Sequence, residues 1–308
     1  MKVLITDDVH SSLISGLQSI GCEVSYLPFI SLEEVYSLIS EYQGLIVNSK
    51  IKVDKVFIEK AIQIQVVARL GSGKEILDLE SLQQHGIKVI TTPEANCNAV
   101  AEHALGMLLS LLRNIPKSDQ EVKNRLWRRE ENRGYEISNL CFGILGYGHT
   151  GSRFCELLSG FGCKIIVYDP FKELHFTHVN WKVANNLNEL RECDVISLHV
   201  NLLNSNKHLV DSEFIELMKR PFYLVNTSRG MVVDTLALVN GLISKKIIGA
   251  CIDVFENENV SSFSDEEKNL YQKLYKAPNT ILSPHIAGWT FGSKLNIAQS
   301  ILNQWPKI

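Results

Sequence analysis

Three polar side chains in the second half of the chain each follow a short apolar segment that reads as a β-strand. The side chains are Arg229, Glu258 and His285, and the segments are Phe222–Asn226, Ile248–Asp253 and Thr280–Ser283. Open α/β sheets bind ligands beyond the carboxyl ends of their strands, so the three groups are expected to converge. An arginine can hold an anion there, a carboxylate can raise the pKa of a neighbouring histidine, and that histidine can transfer a proton.

Each of the three side chains also has a purely structural interpretation. Arg229 could pair with a surface acid, Glu258 could be one solvated charge near Glu256, and His285 could be a loop residue bonded to backbone groups. Their shared position beyond strand ends, together with a nucleotide-type loop upstream, favours the functional interpretation. The pattern therefore predicts acid–base chemistry on an anionic substrate.

A glycine-rich loop lies upstream of these groups, between an apolar strand and the helical segment Ser152–Ser159. Its three glycines are spaced as in the dinucleotide-binding fingerprint. Gly146 permits the tight turn, Gly148 lets the backbone approach a pyrophosphate, and Gly151 lets the helix pack closely on the strand. The phosphates are expected at the helix N-terminus, where free N–H groups and the helix dipole favour negative charge.

An acidic residue ends the strand that follows this loop. Lys164–Tyr168 is the strand, and Asp169 stands directly before Pro170. A carboxylate in this place accepts hydrogen bonds from ribose hydroxyls and repels a 2′-phosphate, which favours NAD over NADP. A cap of the turn before Pro170 is the alternative role for Asp169.

Short apolar strands alternate with amphipathic segments along the whole chain, which is typical of α/β proteins. The first part has predicted strands at Val3–Thr6, Cys22–Leu27, Leu45–Asn48, Val66–Leu70 and Lys88–Thr91, and predicted helices at Leu32–Glu41, Val56–Ala61 and Leu77–Gln84. A long helix is predicted at Ala99–Leu112, and the charged segment Lys117–Tyr135 is expected to link elements or to mediate self-association. The prediction is an α/β fold of two doubly wound parallel-sheet domains. A Rossmann dinucleotide-binding domain (98–283) is inserted into a flavodoxin-like substrate domain (1–97 and 284–308).

Composition narrows the class of protein. A chain of 308 residues favours two domains, 45% apolar residues suit a full core, and a net charge of −3 gives no reason to expect nucleic acid or an anionic membrane as partner. Seven scattered cysteines and a short apolar N-terminus favour reduced thiols in the cytoplasm. His175 and His178 lack nearby ligands in the sequence, so no metal site is expected.

Five motifs together resemble the D-isomer-specific 2-hydroxyacid dehydrogenase family, most closely its D-3-phosphoglycerate dehydrogenase branch. They are Val100–Leu105, the Gly146 loop with Tyr168-Asp169-Pro170, Asn226–Gly230, Gly249–Phe255 and Pro284–Gly288. The resemblance covers nearly the whole chain. It implies a cytoplasmic NAD-dependent oxidoreductase that transfers hydride to or from C2 of a D-2-hydroxy acid, with 3-phosphoglycerate, a precursor of serine biosynthesis, as the expected substrate.

The resemblance also implies a role for individual residues. Arg229 would hold the substrate carboxylate and polarise the C2 carbonyl, His285 would be the acid–base, and Glu258 would fix its tautomer and raise its pKa. Asp253 would bind the nicotinamide carboxamide, and closure of the two domains would exclude water. The implied substrate contacts are Lys50, Ser72, Gly73 and Arg229, and the implied cofactor contacts are Gly146, Tyr147, Gly148, His149, Thr150, Gly151, Asp169, Thr227, Ser228, Asp253 and Gly288.

Departures from the family pattern leave the substrate open. Asn48 stands where the family often has an arginine, whereas Lys50 keeps a positive charge for a substrate phosphate. Reduction of hydroxypyruvate or another 2-keto acid is the alternative activity. An NAD(H)-sensing binding protein without catalysis is the alternative of a different class. The chain ends at Ile308 without the regulatory domain of longer relatives, so no serine feedback is expected, and a homodimer formed through Ala99–Tyr135 is expected by resemblance.

Overall fold

The computed structural model describes residues 1–306 of the chain. Residues 307 and 308, which end the predicted substrate domain, lie outside the described residues. Twelve strands are described: β1 Lys2–Ile5, β2 Glu23–Tyr26, β3 Gly44–Val47, β4 Val66–Arg69, β5 Lys88–Ile90, β6 Cys141–Leu145, β7 Lys164–Tyr168, β8 Trp181–Val183, β9 Val195–Leu198, β10 Phe222–Asn226, β11 Ile247–Ile252 and β12 Thr280–Leu282.

Eleven α-helices are described in the same part of the chain. They are α1 Ser11–Ser19, α2 Leu32–Leu38, α3 Lys55–Lys60, α4 Leu79–Gln84, α5 Cys97–Leu112, α6 Ile115–Lys123, α7 His149–Ser159, α8 Ser212–Leu217, α9 Thr235–Ile243, α10 Asp265–Lys276 and α11 Phe291–Gln304. The chain divides into two compact units.

The first unit comprises Met1–Cys97 and the chain from Trp289 onward. Its five parallel strands lie in the order β2-β1-β3-β4-β5, the order of flavodoxin-like folds. The final helix α11 belongs to the same core, because Ile301 and Trp305 pack with apolar side chains of β1. A Cβ atom on Gly16 of α1 would fall 2.5 Å from the tip of the Leu302 side chain, so the glycine gives this side chain of α11 room to pack on α1.

The second unit comprises Asn98–Gly288. Its seven parallel strands lie in the order β12-β11-β10-β9-β6-β7-β8, which is the doubly wound Rossmann order with one further strand at the edge. Helices α5 and α7 pack on one face of this sheet, and α8 and α9 pack on the other. The strand order reverses between β6 and β9, and the glycine-rich loop follows β6 at this switch point. The predicted fold class is confirmed by both sheets.

Some elements differ from the sequence-based prediction. The charged segment Lys117–Tyr135, expected to link elements or to mediate self-association, begins inside a helix that was not predicted. This helix, α6, starts after Asn114 turns the backbone into the left-handed region. Pro284–Gly288, assigned above to the substrate domain, lies in the second unit. The reason is local, because the backbone N–H groups of Ile286 and Ala287 donate to the Asp253 carboxylate at the end of β11.

Candidate active site

Glu258 and His285 meet beyond the carboxyl ends of β11 and β12. His285 Nδ1 lies 2.9 Å from Glu258 Oε2, and Glu258 Oε1 accepts a hydrogen bond from the Phe255 N–H at 3.3 Å. Both side chains are about half exposed, so the pair is open to a ligand. Because Glu258 engages Nδ1, the other ring nitrogen, Nε2, is the atom that can exchange a proton with a substrate.

The electrostatic environment of this pair favours the protonated imidazole. The hydrogen bond to Glu258 raises the pKa of His285 against the opposing effect of burial, and the charge of Asp253 adds to the rise. Burial alone would raise the pKa of Glu258, but the hydrogen bond and charge of His285, with a smaller effect of Arg229, bring it below its ordinary value. The positive charge of Arg229 therefore acts on both groups.

Arg229 is brought to this place by the loop after β10. The Asn226 amide donates to the Arg229 carbonyl oxygen at 3.0 Å, and its oxygen accepts hydrogen bonds from the N–H and hydroxyl of Ser228. A Cβ atom on Gly230 would fall on the backbone of Phe255, so the loops that follow β10 and β11 are in direct contact. This contact places the Arg229 turn beside the loop that carries Glu258.

The glycine-rich loop has the geometry that a dinucleotide requires. Gly146 has a φ of 90°, in the region that favours glycine, and a Cβ on Gly151 would fall on the Gly146 carbonyl oxygen. Nothing lies within 4 Å of the place where a Cβ on Gly148 would be, which leaves room above the loop. Gly148 is the N-cap of α7 and provides no side-chain cap, so the first N–H groups of the helix point into this room.

The residues flanking this loop are placed as follows. Asp169 Oδ2 accepts from the Tyr147 N–H at 2.8 Å and Oδ1 accepts from the Phe171 N–H at 3.0 Å, so Asp169 caps the turn and also joins the loop. Each carboxylate oxygen can accept a further hydrogen bond. His149 and Thr150 begin α7.

Thr227 and Ser228 lie at the end of β10 and are buried. The Thr227 hydroxyl is without a hydrogen-bond partner among residues 1–306, and a ribose hydroxyl could satisfy it. Gly288 closes the second unit.

Asp253 is completely buried, and its carboxylate organises the turn that carries His285. Oδ1 accepts from the Ser283 hydroxyl at 2.6 Å and the Ile286 N–H at 2.9 Å, and Oδ2 accepts from the Ala287 N–H at 2.8 Å. The expected contact with a carboxamide remains a prediction.

No role was predicted for Glu256 from the sequence. In the structure its carboxylate lies 2.5 Å from His208 Nε2 and accepts from the Thr235 N–H at 2.8 Å, which anchors the loop before Glu258. His208 is distant in sequence and stands in no recognisable motif, so no signal in the sequence indicated this pair.

The predicted substrate residues Lys50, Ser72 and Gly73 belong to the first unit. Ser72 and Gly73 lie in the loop after β4, where Gly71 has a φ of 131°. The Lys50 ammonium donates to the Thr6 carbonyl oxygen and, at 3.0 Å, to the Pro28 carbonyl oxygen. Two of its three donor positions are therefore used within the unit.

The sequence of the second unit matches that of a known group of proteins. A family model described as "D-isomer specific 2-hydroxyacid dehydrogenase, NAD binding domain" matches residues 105–287. The chain belongs to the D-isomer-specific 2-hydroxyacid dehydrogenase family. The matched part is the NAD-binding domain of that family, and NAD is its cofactor. The room above Gly148, the uncapped start of α7 and the position of Asp169 fit this cofactor.

Individual members of the dehydrogenase family are similar over most of the chain. A D-3-phosphoglycerate dehydrogenase of Methanocaldococcus jannaschii is 35% identical over 261 residues, covering 84% of this chain and 49% of that protein. A hydroxypyruvate reductase of Thermotoga maritima is 34% identical over 258 residues, covering 84% of this chain and 82% of that protein. The chain thus spans about half the length of the first of these relatives.

A solved structure has the same fold. The D-lactate dehydrogenase of Aquifex aeolicus, solved with NAD and lactic acid, superposes with a TM-score of 0.86 at 26% identity, covering 99% of this chain and 94% of that one. The predicted family and cofactor are confirmed by these comparisons. Among residues 1–306, no helix has both the length and the apolar character to cross a membrane.

Proposed function

We propose that the protein is an NAD-dependent dehydrogenase that transfers hydride between the nicotinamide and C2 of a D-2-hydroxy acid. The observation that carries the proposal is the 2.9 Å pair of His285 and Glu258 beside the Arg229 turn. 3-Phosphoglycerate, oxidised to 3-phosphohydroxypyruvate in serine biosynthesis, is the proposed substrate. The M. jannaschii relative that bears the corresponding name supports this choice.

The proposed roles follow from the chemistry of the side chains. NAD supplies the hydride acceptor when bound. His285 takes the proton of the C2 hydroxyl at Nε2 during oxidation and returns it during reduction, while Glu258 stabilises the imidazolium. The Arg229 guanidinium binds the substrate carboxylate and stabilises negative charge on the C2 oxygen. The N–H groups around Ser72 and Gly73 are proposed to bind the same carboxylate.

Lys50 is proposed to bind the phosphate of the substrate. The third N–H group of its ammonium, which bonds to neither the Thr6 nor the Pro28 carbonyl oxygen, would donate to the phosphate. Alternatively, the phosphate would replace one of these two carbonyl oxygens as acceptor. The same contacts support the alternative, in which Lys50 is a structural residue and the substrate is hydroxypyruvate or another unphosphorylated 2-keto acid. The T. maritima hydroxypyruvate reductase, 82% of which is covered, also supports this alternative.

A substrate comparison decides between these activities. NADH oxidation is followed at 340 nm with phosphohydroxypyruvate, hydroxypyruvate and pyruvate at equal concentrations. Preference for the phosphorylated acid supports the primary proposal, and Lys50→Met should then raise its KM but leave that for hydroxypyruvate unchanged. Turnover of the unphosphorylated acids alone favours the alternative. NADH binding without turnover of any acid would overturn both and favour an NAD(H)-sensing protein.

Replacement of Glu258 by glutamine should shift the pH dependence of catalysis. The pKa of His285 falls when the carboxylate that raises it is removed. Reduction requires protonated His285, so its loss at alkaline pH should begin at a lower pH in the variant. Oxidation requires neutral His285 and should extend to lower pH. Rate profiles in both directions check this, and identical profiles for variant and wild type would contradict the role of Glu258.

We further propose that the protein is a homodimer whose contact includes α6 and the segment that follows it. Ile115, Val122 and Trp127 are exposed there, with 79% of the Trp127 surface accessible. Exposed apolar side chains of this size are typical of protein interfaces. Light scattering at micromolar concentration should give the mass of a dimer, and Trp127→Glu should shift it towards the monomer. A monomeric wild-type protein would refute the proposal.

A cytoplasmic location is proposed from the thiol chemistry of the chain. All seven cysteines are free thiols, and four of the five buried ones lie in the second unit. Reduced buried cysteines suit a reducing compartment.

A further inference from the structure

A hydrogen-bonded chain joins the helix α5 to the buried carboxylate below the His285 turn. His103 Nε2 lies 2.9 Å from the Ser283 hydroxyl oxygen, and that hydroxyl lies 2.6 Å from Asp253 Oδ1. His103 Nε2 is also 3.6 Å from the same carboxylate oxygen. All three residues belong to the second unit, and none of the roles described above uses His103 or Ser283.

The direction of the hydrogen bonds follows from the donors that are present. A serine hydroxyl has one proton, and an ionised carboxylate can only accept. The Met107 sulfur, at 3.6 Å, is a much weaker acceptor for this proton than the carboxylate oxygen. The Ser283 proton therefore points to Asp253, and the hydroxyl oxygen must accept from His103. His103 thus carries its proton on Nε2 and is the donor that starts the chain.

Asp253 determines the backbone of the catalytic histidine. His285 has a φ of 56°, a left-handed conformation that is uncommon for residues other than glycine. Its N–H donates to the Asp253 carbonyl oxygen at 2.7 Å, and the next two N–H groups donate to the Asp253 carboxylate. Such a conformation persists only where surrounding bonds fix it. The rotation of the Asp253 carboxylate therefore controls the direction in which His285 points.

We propose that His103 is a positioning residue for His285, which acts through Ser283 and Asp253. Its N–H fixes the Ser283 hydroxyl, which fixes one oxygen of the Asp253 carboxylate and so the left-handed turn at His285. This inference rests on the proposed acid–base role of His285. Beyond that role, the inference states that α5 is coupled, through His103, to the orientation of the His285 imidazole towards Glu258.

Two substitutions at His103 separate donation from the presence of a side chain. His103→Leu removes the donor, and His103→Gln retains an N–H donor on a chain of similar reach. We expect His103→Leu to lower kcat about three- to tenfold, the size expected for one neutral hydrogen bond, with little change in the NADH dissociation constant. His103→Gln should restore most of the loss. His175→Leu, at an exposed histidine in the same unit, is the matched control and should leave kcat unchanged.

Ser283→Ala tests the same chain without altering α5, and it decides the question if His103→Leu does not fold. It should lower kcat at least as much as His103→Leu, and in the double variant the two losses should not multiply. Equal activity of wild type, His103→Leu and Ser283→Ala would overturn the proposal. Losses that multiply in the double variant would also overturn it, because the residues would then act separately.

An NMR titration tests the positioning without any turnover. The signals of His285 in protein labelled on the histidine ring are assigned by their loss in His285→Asn. A looser turn weakens the hydrogen bond to Glu258, so the pKa of His285 should fall towards its ordinary value in His103→Leu and stay raised in His103→Gln. A purely structural role would lower the melting temperature of both variants and leave this titration unchanged. If wild type binds NADH but turns over no 2-keto acid, the proposed function fails while the titration still decides the positioning.

Discussion

The variant His285→Asn is expected to lower kcat by at least about 10²-fold while the dissociation constant for NADH stays within about twofold of wild type. The amide of asparagine takes nearly the place of His285 Nδ1 and can still donate a hydrogen bond to Glu258. It cannot carry a proton to or from the C2 oxygen. The imidazole is the only proton carrier that the pair offers near neutral pH, since Glu258 has a pKa below its ordinary value. Steady-state rates and a fluorescence titration with NADH provide the two measurements.

The control for this variant must separate lost chemistry from a lost fold. His178→Asn lies in an exposed loop of the same unit and should leave both kcat and NADH binding unchanged. If His285→Asn turns over as fast as wild type, His285 is not the acid–base of this protein. If kcat and NADH binding fall together, the substitution has damaged the turn rather than removed a proton carrier.

Substitution of Gly151 by alanine is expected to weaken NADH binding by at least about tenfold. The added methyl group would fall on the Gly146 carbonyl oxygen, so the start of α7 must move away from the loop. Overpacking of this kind costs about 1–3 kcal/mol, and here the movement displaces the N–H groups that are aligned for the pyrophosphate. The melting temperature should fall together with the affinity.

The two glycines that flank the same helix, Gly148 as its N-cap and Gly160 as its C-cap, provide the controls for this variant. Gly160→Ala places its methyl group at an ordinary contact distance of 3.7 Å from the Leu157 carbonyl oxygen, so neither stability nor NADH binding should suffer. Gly148→Ala adds its methyl group to open space and should keep the melting temperature, yet it should weaken NADH binding because that space is reserved for the cofactor. A Gly151→Ala protein with unchanged affinity and stability would show that the loop is not packed as described.

The sequence predicted the structure best at positions where the backbone geometry or the chemistry allows only one or a few residue types. Gly146 and Gly151 were assigned to a turn and a close contact because few residues other than glycine satisfy them, and the structure shows both features. Parallel strands were recognisable because both of their faces are buried, which makes them continuously apolar. The pairing of Glu258 with His285 followed from the rule that strand ends converge at one edge of a sheet.

Other features depend on contacts that no local pattern encodes. The helix α6 was not predicted because none of its residues is buried, so it lacks the buried apolar face by which a helix packed on a sheet is recognised. Lys50 was expected to face a ligand, but its ammonium reaches the carbonyl oxygens of Thr6 and Pro28. These two oxygens come close to Lys50 only after β1 has paired with both β2 and β3. The chain from His103 to Asp253 connects residues far apart in sequence, and the direction of its protons follows from the carboxylate that accepts the Ser283 proton rather than from any motif.

The first unit is built from segments that precede and follow the second unit, and this order affects folding during synthesis. Ala298, Ile301 and Trp305 fill a core whose other buried members are encoded before residue 98, and a Cβ atom on Gly44 would meet the Trp305 ring. A ribosome therefore releases the whole contiguous second unit before the first unit can complete its core. During that interval the parallel strands of the first unit keep apolar surface exposed. Cores that are completed late, by contacts between residues far apart in sequence, expose nascent chains to aggregation and to chaperone binding.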